Sequence, residues 1–295
     1  FLLCFPLVLF SQNNWQQHVE YFMDIHMDVS NYTFSGKQKI LYTNNSPDTI
    51  SKVYYHLFFN AFRPGSQMDV RSRTIQDPDR RVGSRIFGLE KKDFGALSVS
   101  SLEQDGKETN YSESETLLVV RLNKPLFPGK KTELEMVFNG QVPLQIRRSG
   151  KLNKEGVRLT MTQWFPKLAE YDFEGWHPNP YIGREFHGVW GNYTVNITID
   201  KNYVVGGTGY LQNPKEIGYG YGAKTKNTDK STLTWKFYAP NVHDFAWAAD
   251  PDYIHDTKTS KSGVDLHFFY KPTVNIDDWK KLQVDTLKLL DFFES

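Results

Sequence analysis

A chain of 295 residues with 39% apolar side chains is long enough to bury a core, which excludes a disordered protein. Its 35 Lys and Arg nearly balance 34 Asp and Glu, so there is no charge surplus to support binding to nucleic acid or an anionic membrane surface. The expected partner is a small molecule or a peptide. The aromatic share of 15% is mostly Tyr and Phe, residue types that favour the half-buried face of a pleated sheet.

The first ten residues, FLLCFPLVLF, are apolar throughout and give way to SQNNWQQ. A membrane span needs roughly 20 such residues. The shorter run suits the apolar core of a secretory signal peptide, placed at 1–12 with an incomplete start, since neither Met nor a basic stretch precedes it. The only cysteine, Cys4, lies inside this run behind Leu2 and Leu3, where a lipoprotein acylation site would have small residues. An exported chain without that segment has no disulfide, which suggests a bacterial periplasmic, cell-envelope or secreted protein held by its core alone. No transmembrane span is expected.

From Val19, VEYFMDIHMDVS sets Val19, Tyr21, Met23, Ile25, Met27 and Val29 against Glu20, Asp24, His26 and Asp28. This period of two predicts a strand with one wet face. Further strands are predicted at Ser35 to Tyr42, at Lys52 to Phe59 with Val53, Tyr55, Leu57 and Phe59 inward, at Leu117 to Leu122 and at Thr132 to Phe138. Between them, residues 63–93 are charged and poor in apolar side chains, and read as a long surface loop.

Residues 160–183, TMTQWFPKLAEYDFEGWHPNPYIG, crowd aromatic rings, acids, prolines and glycines into a run that fits neither clean strand pairing nor a helix. Residue chemistry leaves two readings open there: a ring-lined ligand groove, or a loop sealing one end of a sandwich. A second strand series comes next, through Tyr193, Val195, Ile197 and Ile199, then Leu233, Trp235 and Phe237, then Phe245 to Ala249, then Val264, Leu266, Phe268 and Tyr270. The glycine-rich stretch at 214–230 reads as a hairpin tip, because its glycine spacing matches no nucleotide-binding motif. Many short alternating strands indicate a mostly β, antiparallel, sandwich-like domain over 13–272. The texture then changes. Residues 275–295 place Trp279, Leu282, Thr286, Leu289, Leu290 and Phe293 near helical spacing, with Asn275 as cap and Asp277 and Asp278 in the first turn.

Catalytic chemistry is sparse. None of the eight histidines forms the H-E-x-x-H pair, no G-x-S-x-G elbow occurs, and no metal ligand set is expected in this chain beyond the weak pair Glu185 and His187. The acids Glu170, Asp172 and Glu174 would suit acid–base work on a glycoside but lack a second cluster at a defined distance.

Four segments nevertheless share a pattern: YYHLFFNAF (54–62), TMTQWFPK (160–167), GNYTVNITIDKNYVVGGTGYL (191–211) and TWKFYAPNVHDFAWAADPDY (234–253). In order and spacing, from about residue 15 to 270, they resemble the N-terminal domain of zinc metallo-aminopeptidases of the gluzincin type, the aminopeptidase N and leukotriene hydrolase family, with the bacterial exported branch nearest. The resemblance implies a saddle-shaped β domain packed on a thermolysin-like catalytic domain, whose first helix would begin at 273–295. It implies a peptide substrate, the protein's own catalytic domain as partner, and zinc in the full-length protein, with ligands outside this chain. The chain by itself would then be inert. Within TMTQWFPK, the resemblance makes Gln163 a contact to the substrate's N-terminal part, an amide being able to donate and accept. The family's acidic or amide position falls on Phe165, so Trp164 and Phe165 would wall the first side-chain pocket, with Glu170 or Asp172 as substitutes for the missing acid. A self-standing β-sandwich binding module, stacking sugar rings on Trp164, Trp176 and Trp190, is the alternative, and a relative whose catalytic domain has lost zinc is a third reading.

Overall fold

The computed structural model describes residues 15–76, 79–183, 186–221, 230–272 and 275–294. The 1–12 segment, Glu185 and residues 222–229 of the glycine-rich stretch lie outside them. Among the described residues no helix is long and apolar enough to cross a membrane.

The protein is mostly β. Its largest sheet has eight strands, in the order Tyr210–Leu211, Thr232–Val242, Gly191–Asp200, His18–Asp28, Thr33–Thr43, Lys131–Gln141, Ala96–Gln104 and Lys107–Glu108. Every neighbour pairs antiparallel except His18–Asp28 with Gly191–Asp200, which run parallel from Val19 opposite Gly191 to His26 opposite Thr198. That parallel join links the two strand series across more than half the chain. Alternation along His18–Asp28 sends Val19, Tyr21, Met23, Ile25 and Met27 inward, and Tyr193, Val195, Ile197 and Ile199 do the same on the parallel neighbour.

Two four-stranded sheets complete the core. One runs Val204–Gly207, Trp247–Asp250, Leu159–Met161, Gly150–Lys151; the other runs Lys167–Leu168, Ile50–His56, Leu117–Leu126, Tyr111–Ser114. Residues of all three sheets share one continuous apolar cluster.

Several expectations need correction. The strand predicted to Phe59 ends at His56, and Phe58–Ala61 form a 3-10 turn; Leu57 and Phe59 are buried all the same. Residues 63–93 are not merely surface loop. They carry the helix Gln67–Thr74, capped by the Ser66 hydroxyl, which accepts from the Asp69 N–H at 3.2 Å. Met68, Val82 and Ile86 gather there with Phe58, Phe62, Ile146 and Tyr181 into a second, smaller core. The 160–183 segment does pair, in pieces of two or three residues: Leu159–Met161, Lys167–Leu168, Tyr171–Asp172 and Gly175–Trp176.

The last helix, Ile276–Phe293, matches its prediction: the Asn275 side chain accepts from the Asp277 N–H at 3.2 Å. It rests on the hairpin Ile254–Thr259/Asp265–Tyr270 through Trp279 stacked on Tyr270 at 5.0 Å and Gln283 donating to Asp256 at 2.8 Å. Leu282, Leu289 and Phe293 are exposed.

Gly191 is the pinch point of the parallel join. A Cβ there would sit 1.9 Å from the Val19 carbonyl oxygen, which neither strand can yield without losing the register. Gly191→Ala is therefore expected to cost about 2–3 kcal/mol in urea unfolding, the scale of forced overpacking; a change within about 0.5 kcal/mol, the range of ordinary surface substitutions, would count against that pairing.

Candidate functional site

The 160–183 segment leaves regular pairing at one residue. Gln163 has φ 50°, in the left-handed region that non-glycine residues rarely adopt. In a strand Trp164 and Phe165 would face opposite sides; beyond this kink both are fully buried. Trp164 donates its indole N–H to the Phe245 carbonyl at 3.0 Å and meets Phe34 and Trp247 edge-on at 5.9 and 6.1 Å. Phe165 packs edge-on against Tyr21 at 5.6 Å. The pocket walls expected of these two rings are, in this chain, core residues.

Gln163 is 8% exposed, and its Nε2 lies 3.4 Å from Asp244 Oδ2. Four residues on, Lys167 reaches the same oxygen at 3.2 Å, a contact with the distance of an ion pair but not the alignment of a hydrogen bond. Burial holds the Lys167 ammonium below its usual range, against the opposing pull of Asp244. Gly188 allows the chain to pass over this lysine, since a Cβ there would come within 2.6 Å of Lys167 Cε.

Beyond Leu168 the chain turns as a tight hairpin. Asp172 pairs with Gly175 and Tyr171 with Trp176, so the loop is Phe173 and Glu174, with Gly175 at φ 100° and Asp172 Oδ1 accepting from the Glu174 N–H at 2.8 Å. The pairing continues to the His177 N–H, which donates to the Glu170 carbonyl at 2.9 Å. Directly opposed residues share a face of a hairpin, so Glu170, Asp172 and His177 lie on the same side.

That face borders an open cleft of about 1240 Å³, larger than an ordinary small-molecule pocket. Glu170, Asp172 and His187 line it with Trp15, Tyr171, Trp190 and His243; Trp15 stacks on Tyr171 at 5.8 Å and Trp190 meets His243 at 5.2 Å. Trp190 and Phe173 expose their rings. The structure thus separates the expected site residues: Glu170 and Asp172 stand at the cleft, whereas Gln163, Trp164 and Phe165 do not line it. Of the three tryptophans expected to stack sugars, Trp164 is buried, Trp176 half-buried and Trp190 exposed.

Two neighbouring acids titrate in opposite directions. Burial, reinforced by the charge of Asp172, pushes Glu170 up to about 7, although the Tyr171 N–H stabilises its charged form. Burial would also raise Asp172, but the His177 ring, the Glu174 N–H and the His187 ring hold it below its usual range.

His177 and His187 join Asp172 in the sole group of three metal-ligand side chains within reach of one another among the described residues. Sequence spacing singled out His187 and Asp172 separately and missed His177. The missed signal is legible afterwards: in EYDFEGWH a two-residue turn at Phe173 and Glu174 sets His177 across from Glu170, on the face of Asp172. The Lys167–Asp244 pair had no signal in the sequence, its members being 77 positions apart (244 − 167).

No protein-family model matches this chain, and no curated protein matches it. Solved structures do. The M1 zinc metallopeptidase of Deinococcus radiodurans superposes with TM-score 0.51 at 13% identity, over 88% of this chain and 48% of its own. A mutant of a two-domain M1 zinc metallopeptidase bound to L-tryptophan gives 0.50 at 13%, over 90% and 50%. A mutant of the Deinococcus radiodurans enzyme bound to a Tyr-Ser-Ala substrate gives 0.50 at 13%, over 88% and 48%. At this identity the likeness is one of fold, and the chain spans about half the length of the structures it matches.

Glu170 gives the site a pH signature. Its folded carboxyl takes up a proton near pH 7 while the unfolded one does so at its ordinary value near 4.5, so the native state binds more protons between them and this residue's contribution to stability falls as pH rises through that window. Buried His56, lowered by burial to about 4, works in the opposite sense, which is why the comparison must be wild type against variant. Glu170→Gln is expected to stabilise the fold by about 3 kcal/mol at pH 8 and to be near neutral at pH 4. Urea titrations at both pH values check this; an equal effect at both contradicts it.

Proposed function

We propose that the chain is the N-terminal, substrate-site-forming β domain of a zinc-dependent aminopeptidase that releases N-terminal residues from peptides. The carrying observation is the fold likeness to M1 zinc metallopeptidases over 88–90% of the chain at only 13% identity, independent of the four sequence segments that suggested the same family. In this reading residues 13–272 form the β domain, the helix Ile276–Phe293 begins the catalytic domain, and its exposed Leu282, Leu289 and Phe293 are covered there. The zinc belongs to that domain, because the chain has no H-E-x-x-H pair, and the chain alone is inert. The neighbour bound to Tyr-Ser-Ala is a precedent for a peptide ligand. Export is supported by the apolar run at 1–10.

Gln163 is the residue offered to substrate. Trp164 and Phe165 hold its turn from beneath rather than enclosing the substrate side chain. The carboxylate nearest Gln163 is Asp244, already held by Lys167, while Glu170 and Asp172 line the separate cleft. Recognition of the substrate amine by an acid of this segment therefore finds little support, and the amide is left as the polar contact. The open cleft, with Trp190 exposed on its rim, keeps the binding-module reading in play as the second one.

In the full-length enzyme, Gln163→Ala is expected to lower kcat/KM for aminoacyl substrates by about ten-fold or more, the effect of a lost partner for a buried peptide group at ~1–3 kcal/mol. Unchanged kinetics would remove Gln163 from the site. A full-length product whose peptidase activity does not depend on zinc, or that has none, leaves the binding-module reading in its place.

A further inference from the structure

The hairpin next to the buried anchor carries Asp172 and His177 on one face, and the passing segment after it brings in His187. His177 Nε2 lies 2.8 Å from Asp172 Oδ1, and His187 Nε2 lies 3.6 Å from Asp172 Oδ2. The two imidazoles meet edge to face with centroids 5.0 Å apart, and the three ligand atoms all fall within 4.8 Å of one another. A second observation separates this group from an ordinary surface cluster. His177 Nε2 is shut off from solvent and makes no hydrogen bond of acceptable geometry, its short approach to Asp172 being misaligned. A shielded ring nitrogen whose one close contact is poorly aligned gains little from it, and one set beside a carboxylate and a second imidazole has the surroundings of a metal ligand.

We infer that Asp172, His177 and His187 form a binding site for a divalent transition-metal ion, with Zn²⁺ the best match, at the edge of the 1240 Å³ cleft. Two imidazole nitrogens and one carboxylate oxygen are borderline-soft donors of the kind zinc takes, and three protein ligands leave a fourth position for water or a ligand group. Around a tetrahedral ion with bonds of about 2.1 Å, ligand atoms stand ~3.4 Å apart. The present spacings bracket that distance, so binding asks the 2.8 Å contact to open and the widest one to close by little more than about 1 Å. The framework allows it: the His177 backbone is fixed by its bond to Glu170, while the His187 side chain is 58% exposed and able to swing. Asp172 and His187 also line the cleft, so the open position faces the space where a ligand would lie. The inference is independent of the peptidase reading, because binding is read on the chain itself with no turnover.

The test is isothermal titration of Zn²⁺ into the chelator-treated chain at neutral pH, with Co²⁺ absorption in the visible as a second readout of the coordination. Wild type is expected to take up one equivalent, and His177→Ala, His187→Ala and Asp172→Asn each to weaken it at least tenfold. Asp172→Asn keeps the oxygen that caps the turn, and His187 is exposed, so neither variant threatens the fold. The other close histidine pair, His255 and His267 at 2.9 Å, serves as control, and His267→Ala is expected to leave uptake unchanged. Absence of uptake, or uptake unaltered in His187→Ala and Asp172→Asn, overturns the inference.

Discussion

The burial of two consecutive aromatic side chains, Trp164 and Phe165, sets the terms for the rest of the molecule. A pleated strand sends neighbouring residues to opposite sides, and the chain leaves β geometry just before these two rings, at the left-handed Gln163. Rings of this size bury enough apolar surface that truncating either would cost about 3–5 kcal/mol, well above the ~1–3 kcal/mol of a strained backbone residue. Trp164 touches Phe34 of the large sheet and Trp247 of a small one, and Phe165 touches Tyr21 and Tyr193 across the parallel join. The segment is irregular because it is nailed to the core.

The residues after Phe165 take their positions from that anchor. Lys167 is carried into the interior, where Asp244 chiefly compensates its charge and Glu170 adds a smaller part, and a lysine so buried would be strongly destabilising if the Asp244 carboxylate were removed. The Leu168 N–H donates to the Tyr21 hydroxyl at 3.0 Å, which ties the segment to the first strand a second time. Only after these ties does the chain rise to the surface, and the tight hairpin then presents Glu170, Asp172 and His177 on a firm base. A polar cluster built on so fixed a platform can hold its geometry, which is what distinguishes a site from a patch of charge.

Much of the fold was legible because the long strands alternate without interruption, as along Val19 to Met27 and Tyr193 to Ile199. Ala96–Gln104 went unread for a physical reason. A bulge between Val99 and Ser101 shifts its phase, so Leu97 and Val99 face inward and then Leu102 and Gln104 do, breaking the period of two. The small second core was hidden because Met68, Val82 and Ile86 are too far apart in sequence to form a pattern, and they meet only through Phe58, Ile146 and Tyr181. At the site, Asp172 and His187 stand out in the sequence only separately, and His177 does not stand out at all. Residue chemistry leaves Trp164 and Phe165 between lining a groove and sealing the sandwich, because nothing local reveals a buried kink, and the family resemblance makes them pocket walls by analogy rather than by packing.

The most direct test of this account is oxidative footprinting of the native chain, with modification of each aromatic residue read by mass spectrometry. Trp164 and Phe165 are expected to be protected to the same degree as fully buried Trp235, while Phe173 and Trp190, exposed at the hairpin tip and the cleft rim, are modified readily. Modification of Trp164 at the rate of Trp190 under native conditions would contradict the anchor, and with it the reason the hairpin stands where it does.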